Sequence, residues 1–180
     1  MTKLLFLDTE TTGFDDPKLV QLAFHINGSG LFSHGIYNPG KEIHEGAVKI
    51  HGITNEVAQA APKFSNCLEY EVLQNLLDEY VLVCHNAVFD IKVLQNEGLR
   101  VKKSLCTYLL AKKLLPYSPK HKLQFLRESL NLNIKATAHD ALGDVLVMKA
   151  LFMHLINGVK TKNGSEAALH LIQNSIVNHE

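Results

Sequence analysis

Apolar and polar residues follow two periods along the chain, and the change from one to the other predicts the order of its elements. Residues 3–8 read as a first strand, and "KLVQLAFHING" with "GLFSHGIYNP" read as two more. Asn27-Gly28-Ser29-Gly30 joins that pair as a hairpin signal, because Asn and Gly tolerate the backbone angles of a tight turn. Three adjacent, antiparallel early strands are therefore expected. "NPGKEIHEGAVKIHGIT" reads as a loop with one short helical turn. From Phe64 the period becomes helical, with Phe64, Cys67, Leu68, Val72, Leu76 and Leu77 on one face. "VLVCH" is a continuous apolar run, as expected of a strand covered on both faces. A helix from Ala87 ended by Gly98, a short strand in "VKKSLCT", and helices over 106–115, 121–130 and 140–156 complete the series.

Strands lead and strand-helix units follow, so helices pack on a mixed central sheet in an α/β or α+β chain. Residues 1–158 make one domain by this reading. Residues 159–180 make a polar connector and a short helix capped at Ser165, whose apolar face docks on the domain.

A length of 180 residues, with 46% hydrophobic and 20% charged, suits a single globular domain with a sizeable core. The apolar runs are short and broken by charge, and "MTKLLFLDTE" has neither the length nor the cleavage site of a signal peptide. A cytoplasmic protein without a membrane partner is the expectation. Cys67, Cys84 and Cys106 show no metal-ligand spacing and lie in apolar segments, which fits a reducing compartment and not a zinc site.

Lys+Arg and Asp+Glu balance at 18 each, but unevenly along the chain. Residues 91–135 hold ten bases against two acids, Glu97 and Glu128, a net +8; residues 1–90 carry −7. Arg100, Lys102, Lys103, Lys112, Lys113, Lys120 and Lys122 either line a solvated helix face or attract a polyanion.

Four acids stand where folded domains usually have none. Asp8 and Glu10 end the first strand, two residues apart and so on one face; Asp90 follows "VCHNAVF"; Asp144 lies inside "ALGDVLVMKAL". Asp90 and Asp144 can be explained as helix caps or lysine partners. Asp140 is the better cap, however, and at about 100° per residue Asp144 falls on the stripe of Ala141, Val145, Met148 and Phe152. A carboxylate facing inward is costly unless a cation meets it. Oxygen ligands without clustered Cys or His favour Mg²⁺ or Mn²⁺, and a pair of such ions is a recurring device for phosphodiester cleavage. His139, five residues before Asp144, belongs to the preceding loop; a histidine there is either an ordinary surface residue or a general base.

"FLDTETTGF", "VKIHGIT", "CHNAVFDIKVL", "CTYLLAKKLLP" and "HDALGDVLVMKAL", in this order over residues 4 to 156, resemble the histidine-type 3′–5′ exonucleases of the ribonuclease H-like fold, the group that includes the proofreading epsilon subunits of bacterial replicases. The resemblance implies an α/β chain of that fold and an enzyme that releases nucleoside 5′-monophosphates from DNA 3′ ends, single-stranded or duplex. It implies Asp8, Glu10, Asp90 and Asp144 as ligands of two Mg²⁺ or Mn²⁺ ions. Asp8, Glu10 and Asp144 would hold the first ion, Asp8 also the second, and Asp90 would act directly or through water. His139 becomes the base that deprotonates the attacking water. Thr9, Thr11, Thr12 and Gly13 would cradle the terminal nucleotide, with Phe14, His51, Asn86 and Phe89 as further substrate contacts.

Cys106-Thr107, where many relatives have Asp-Thr, and the compact length resemble the stand-alone exonuclease X branch. "LQFLRESL" reads as core-facing, so no clamp- or polymerase-binding motif is evident. RNA is the alternative substrate, because ribonuclease T and oligoribonuclease are similar at the same positions. A non-catalytic nucleic-acid-binding module is the remaining alternative. With a cut at the 3′ end, the lysine-rich 91–135 segment becomes the expected seat of the upstream strand.

Overall fold

In the computed structural model, which describes residues 2–29 and 32–179, "LLFLDTET" forms the first strand, β1 (Leu4–Thr11). Its alternation sorts two cores. Leu4 and Phe6 face one side of the sheet, Leu5 and Leu7 the other. β2 (Leu19–Ile26) pairs antiparallel with β1, and β3 (Phe32–Ile36) pairs antiparallel with β2. The expected hairpin turn is present at 27–29, and Gly30 lies outside the described residues.

Beyond the meander come two short helices, α1 (Glu45–His51) and α2 (Asn55–Ala60), held to β2 through Val20, Ile43, Ile53 and Ala58. The sequence reading placed only one helical turn here. Helices of six or seven residues are too short to show a period, and these are set by their caps: His44 accepts from Gly46 N–H, and Thr54 from Val57 N–H.

A 3₁₀ turn at Phe64–Asn66 precedes α3 (Leu68–Glu79), which leads into β4 (Val81–Cys84) and α4 (Ala87–Asn96). β5 (Lys103–Cys106), α5 (Thr107–Leu114), α6 (Leu123–Ser129) and α7 (Ala141–Asn174) follow, close to the expected boundaries at their starts. The chain ends in β6 (Ile176–Asn178). The sheet order is β3-β2-β1-β4-β5-β6, with β1, β4 and β5 parallel and β6 antiparallel to β5. This mixed sheet flanked by helices is the ribonuclease H-like α/β arrangement.

On one side α5, α6 and α7 pack on Leu4, Phe6, Val83 and Leu105, with Phe6 and Phe152 meeting edge to face at 5.5 Å between ring centres. On the other, Leu73 and Leu77 of α3 and Ile91 and Leu94 of α4 cover Leu5, Leu7, Phe24 and Leu82. α7 is apolar and long enough to cross a membrane by composition, yet Val145, Met148, Leu151, Phe152 and Leu155 are buried against the sheet.

The tail differs in detail from its expectation. The helix runs on through 159–163, where a polar connector was expected, and breaks at Gly164, whose φ of 88° and ψ of 168° are not helical. Polarity alone does not stop a helix already nucleated by a docked apolar face; a glycine free to take positive φ does. Beyond the second helical segment β6 completes the sheet edge, with His179 N–H donating to Lys102 O at 2.8 Å and its ring 2.8 Å from Ser104 Oγ. Three residues of strand carry too little pattern to be read from sequence.

Candidate active site

The carboxyl ends of parallel strands open into a crevice, because the connections turn away to opposite faces there. β1 and β4 end at that edge, and the candidate residues gather around it. Asp8 and Glu10 continue the face of Leu4 and Phe6, toward α7, as the alternation requires. Thr9 points the opposite way and donates from Oγ1 to Asp90 Oδ1 on α4 at 2.9 Å. Asp144 enters from α7 and is only 7% exposed. It sits four residues past the cap Asp140, whose carboxylate accepts the N–H of Gly143 at 3.1 Å.

His139 lies in the loop before α7, exposed, with a left-handed φ of 59°. That conformation is costly for a non-glycine residue, and it is held here by the His139 N–H donating to Asp144 Oδ2 at 3.3 Å. Glu10, His139 and Asp144 bring ligand atoms all within 4.8 Å of one another. Asp8 and Asp90 stand outside that triplet, and the electrostatics tie them to it.

Burial raises the Asp8 carboxyl well above its ordinary range, and the charges of Asp90, Asp144 and Glu10 raise it further. Glu10 is pushed up to about 8, by burial first and then by Asp144 and Asp90. Burial lifts Asp90 to about 7 against the hydrogen bond from Thr9, and lifts Asp144 against the opposing pull of His139. None of the four forms an ion pair with a lysine or arginine among the described residues. Crowded, half-buried to buried oxygen donors without a cationic partner make a donor set suited to hard divalent ions.

The threonine-glycine stretch builds a turn. Thr12 exchanges two bonds with Lys18, N–H to Lys18 O at 3.0 Å and Oγ1 from Lys18 N–H at 3.1 Å, while Thr11 Oγ1 donates to Gly13 O at 3.1 Å. Gly13 has φ 142°, open to glycine and strained for other residues. α1 closes on this turn: His44 N–H donates to Thr12 O at 2.9 Å, and His51 reaches Thr11 O at 3.2 Å. The Ile53 N–H donates to His51 Nδ1, so the proton sits on Nε2 and both ring nitrogens are occupied. Between turn and helices lies an open cleft of about 1210 Å³, lined also by Phe14, Phe89 and His139. Phe14 is 83% exposed and meets Phe89 edge to face at 5.9 Å. Asn86 caps α4 from a left-handed φ of 79°, with no side-chain cap bond.

Three residues at the site were not singled out from sequence. Gln21, buried, donates to Asp140 Oδ1 at 2.9 Å and accepts the Ala141 N–H at 3.0 Å, seating the start of α7 on β2. A glutamine inside the apolar "LVQLAF" was the available signal. Gln124 donates to Asp144 Oδ1, and Arg127 holds Gln124. Both stand in "LQFLRESL", where the helical pattern pointed to the core and hid a polar edge.

The profile of the RNase T exonuclease family matches residues 5–152. A DNA polymerase III subunit epsilon-like protein of Rhodobacter capsulatus is 30% identical over 178 residues, covering 90% of this chain; the chain spans a quarter (25%) of that relative's length. The DNA polymerase III subunit epsilon of Buchnera aphidicola is 27% identical, over 87% of this chain and 73% of its own. Among solved structures, exonuclease X in complex with 5′ overhanging duplex DNA superposes with a TM-score of 0.72 at 26% identity, covering 93% of this chain and 98% of that one.

Proposed function

The chain belongs to the RNase T exonuclease family and is a histidine-type 3′–5′ exonuclease, and from that membership we propose that it hydrolyses DNA from the 3′ end to nucleoside 5′-monophosphates. The observation that carries the reading is the convergence of Glu10, His139 and Asp144 within 4.8 Å, with Asp8 and Asp90 beside them and, among the described residues, no Lys or Arg ion pair to neutralise the acids. A non-catalytic module has no need of such an unneutralised cluster.

In this reading Asp8, Glu10 and Asp144 would hold one Mg²⁺ or Mn²⁺, Asp8 would also hold a second, and Asp90 would act directly or through water. Bound there, the ions supply charge neutralisation at the scissile phosphate and a more acidic water. His139, exposed at the cleft, takes the proton of the attacking water. The water oxygen then bonds to phosphorus as the P–O3′ bond breaks. The departing O3′ takes a proton from solvent, leaving a chain one nucleotide shorter. The carboxyls must shed protons to bind cations, so ion binding releases protons at neutral pH.

The turn from Thr9 to Gly13 seats the terminal nucleotide, and Phe14 with Phe89 offers aromatic faces to its base. His51, with both nitrogens engaged by backbone, contributes shape, while Asn86 presents a free amide at the start of α4. The upstream strand leaves across the α5–α6 rim. Residues 98–127 contain no acid, and Lys112, Lys113, Lys120 and Lys122 are exposed there. That rim is anchored beside the crevice, because His85 Nε2–H donates to His121 O at 2.8 Å and Gln124 reaches Asp144.

DNA is preferred as substrate because the 26%-identical exonuclease X structure is a complex with 5′ overhanging duplex DNA and relatives in sequence include DNA polymerase III epsilon subunits. The test is digestion of matched 3′-labelled DNA and RNA oligonucleotides with Mg²⁺ or Mn²⁺. Mononucleotides from DNA, lost in Asp8→Ala and Asp144→Ala, are expected. Faster release from RNA would overturn the choice of sugar, and release undiminished in both variants would overturn the site.

A further inference from the structure

Both oxygens of the Asp144 carboxylate accept bonds from the protein, Oδ1 from Gln124 Nε2 and Oδ2 from the His139 N–H. The Gln124 amide cannot be turned over, because its Oε1 accepts from Arg127 Nη1 at 3.1 Å. Arg127 has no carboxylate partner among the described residues. Its guanidinium donates instead to two more neutral acceptors, Nη1 to Ala136 O at 2.9 Å and Nη2 to Ile134 O at 2.5 Å. Those carbonyls belong to the loop that carries His139. The same loop lies against the start of α7, where a Cβ on Gly143 would come within 2.5 Å of Thr137 O.

Two linked side chains on α6 therefore reach the two halves of the chemistry, Gln124 touching Asp144 and Arg127 the loop that carries His139. We infer that Gln124 and Arg127 are positioning residues, a relay that orients Asp144 toward a divalent cation and clamps the 134–139 loop so that His139 stands in register with it. The inference rests on the proposed roles of Asp144 and His139.

The residue types suit the task. A lysine or arginine placed directly on Asp144 would neutralise it and compete with a metal ion. A neutral amide fixes the carboxylate's rotamer without spending its charge, and the guanidinium is held one step further back. A planar fork also satisfies three acceptors in fixed directions, which the single ammonium of a lysine does not. Hydrogen bonds of this kind behind a ligand carboxylate typically matter by about 10- to 100-fold in metal affinity or activity.

The test uses the full chain and three variants: Gln124→Met, which keeps length and removes the donor; Arg127→Met; and Arg127→Lys, which keeps charge and stem. Mn²⁺ affinity by calorimetry, hydrogen exchange of residues 132–140, and kcat and KM on a 3′-labelled DNA oligonucleotide are read for each. Gln124→Met is expected to weaken Mn²⁺ about 10- to 100-fold and to lower kcat with KM unchanged. Arg127→Met is expected to do the same and also to speed exchange across 132–140, and Arg127→Lys is expected not to restore that protection. Wild-type Mn²⁺ affinity in Gln124→Met, or wild-type exchange in Arg127→Met or Arg127→Lys, overturns the relay. If the wild type binds Mn²⁺ but leaves DNA intact, the substrate reading has failed, and Mn²⁺ affinity with exchange still judges the relay.

Discussion

The two walls of the cleft are built by different means. The wall formed by residues 11–18 and α1 is stitched at its turn mainly by its own groups, Thr12 to Lys18 and back, His44 to Thr12 and His51 to Thr11, with Asn96 of α4 and Lys41 adding bonds to Pro17 O and Asp16 O at its far end. The opposite wall, the loop before α7, is held by side chains of the helices on either side of it. Arg127 takes two of its carbonyls and Asp144 one of its N–H groups, while Asn131 and His139 sit at positive φ. Charge divides the same way. Asp15, Asp16, Glu42, Glu45 and Glu56 lie on the first wall, whereas α5 and α6 beside the second present lysines without an acid from 98 to 127. A wall closed by bonds among its own parts suits a seat that must keep its shape. A wall that hangs on side chains of the two helices flanking it suits a group that must approach water and withdraw.

The largest expected effect comes from the acids at the junction of the walls. Asp8→Asn should remove turnover by more than the ~10²- to 10⁴-fold typical of losing a general base. The same change relieves a buried carboxylate crowded by Asp90, Asp144 and Glu10, so the metal-free variant should melt higher than the wild type. Each kcal/mol is worth about 2–4 °C in a domain of this size. Calorimetry without metal, beside a nuclease assay, reads both; a lower melting temperature would show that Asp8 is a structural partner and not a strained ligand.

Next stands His139 on the second wall. His139→Ala should cost about 10²- to 10⁴-fold in kcat with the melting temperature unchanged, because the histidine is exposed and its contact with Asp144 is through backbone N–H. Equal loss from His51→Ala would break the comparison between walls, since His51 is spent on backbone bonds of the first.

Solution pH sharpens the contrast between metal-free and metal-bound protein. Asp8 and Asp144 are raised by burial, Glu10 to about 8 and Asp90 to about 7. Unfolded carboxyls titrate near pH ~4, so between there and about 8 these four carboxyls bind more protons folded than unfolded and cost stability as pH rises, against a smaller opposite contribution from the half-buried His25, His51 and His85. The metal-free melting temperature should therefore fall from pH 5 toward pH 8. Mn²⁺ should flatten that fall by replacing the protons. A metal-free melting curve that climbs over this range would refute the unneutralised cluster.

The junction was legible from sequence while much of its support was not, and the reason is physical. Asp8 and Glu10 share a face because strands alternate, and Asp144 sits inward because a helix turns about 100° per residue. Both are local rules acting on residues in plain view. Gln124 shows its role only once α6 has packed on α7, for a glutamine on a helix edge carries the same local pattern whether it meets solvent or a carboxylate. α2 and β6 were missed for a related reason: six and three residues hold fewer than two full periods, too few to show a repeat, and docking makes them. Gln21 was visible as a polar break in an apolar strand, but its partner Asp140 lies 119 residues away.

The smallest effect expected tests the charge division itself. Exposed lysines contribute to nucleic-acid affinity mainly by releasing counterions, so each lost contact lowers the salt slope of single-strand binding by about 0.7. Lys120→Ala and Lys122→Ala on the second wall should each do so while leaving kcat at saturating DNA unchanged, because neither lysine is paired among the described residues. Lys49→Ala on the first wall is the control. Its ammonium already pairs with Glu45 one helical turn away, so it has little charge left to offer a phosphate and the slope should stay put. If the control shifts the slope and the α6-side lysines do not, the strand leaves over the first wall, and the cleft works in the opposite direction from the one its charges suggest.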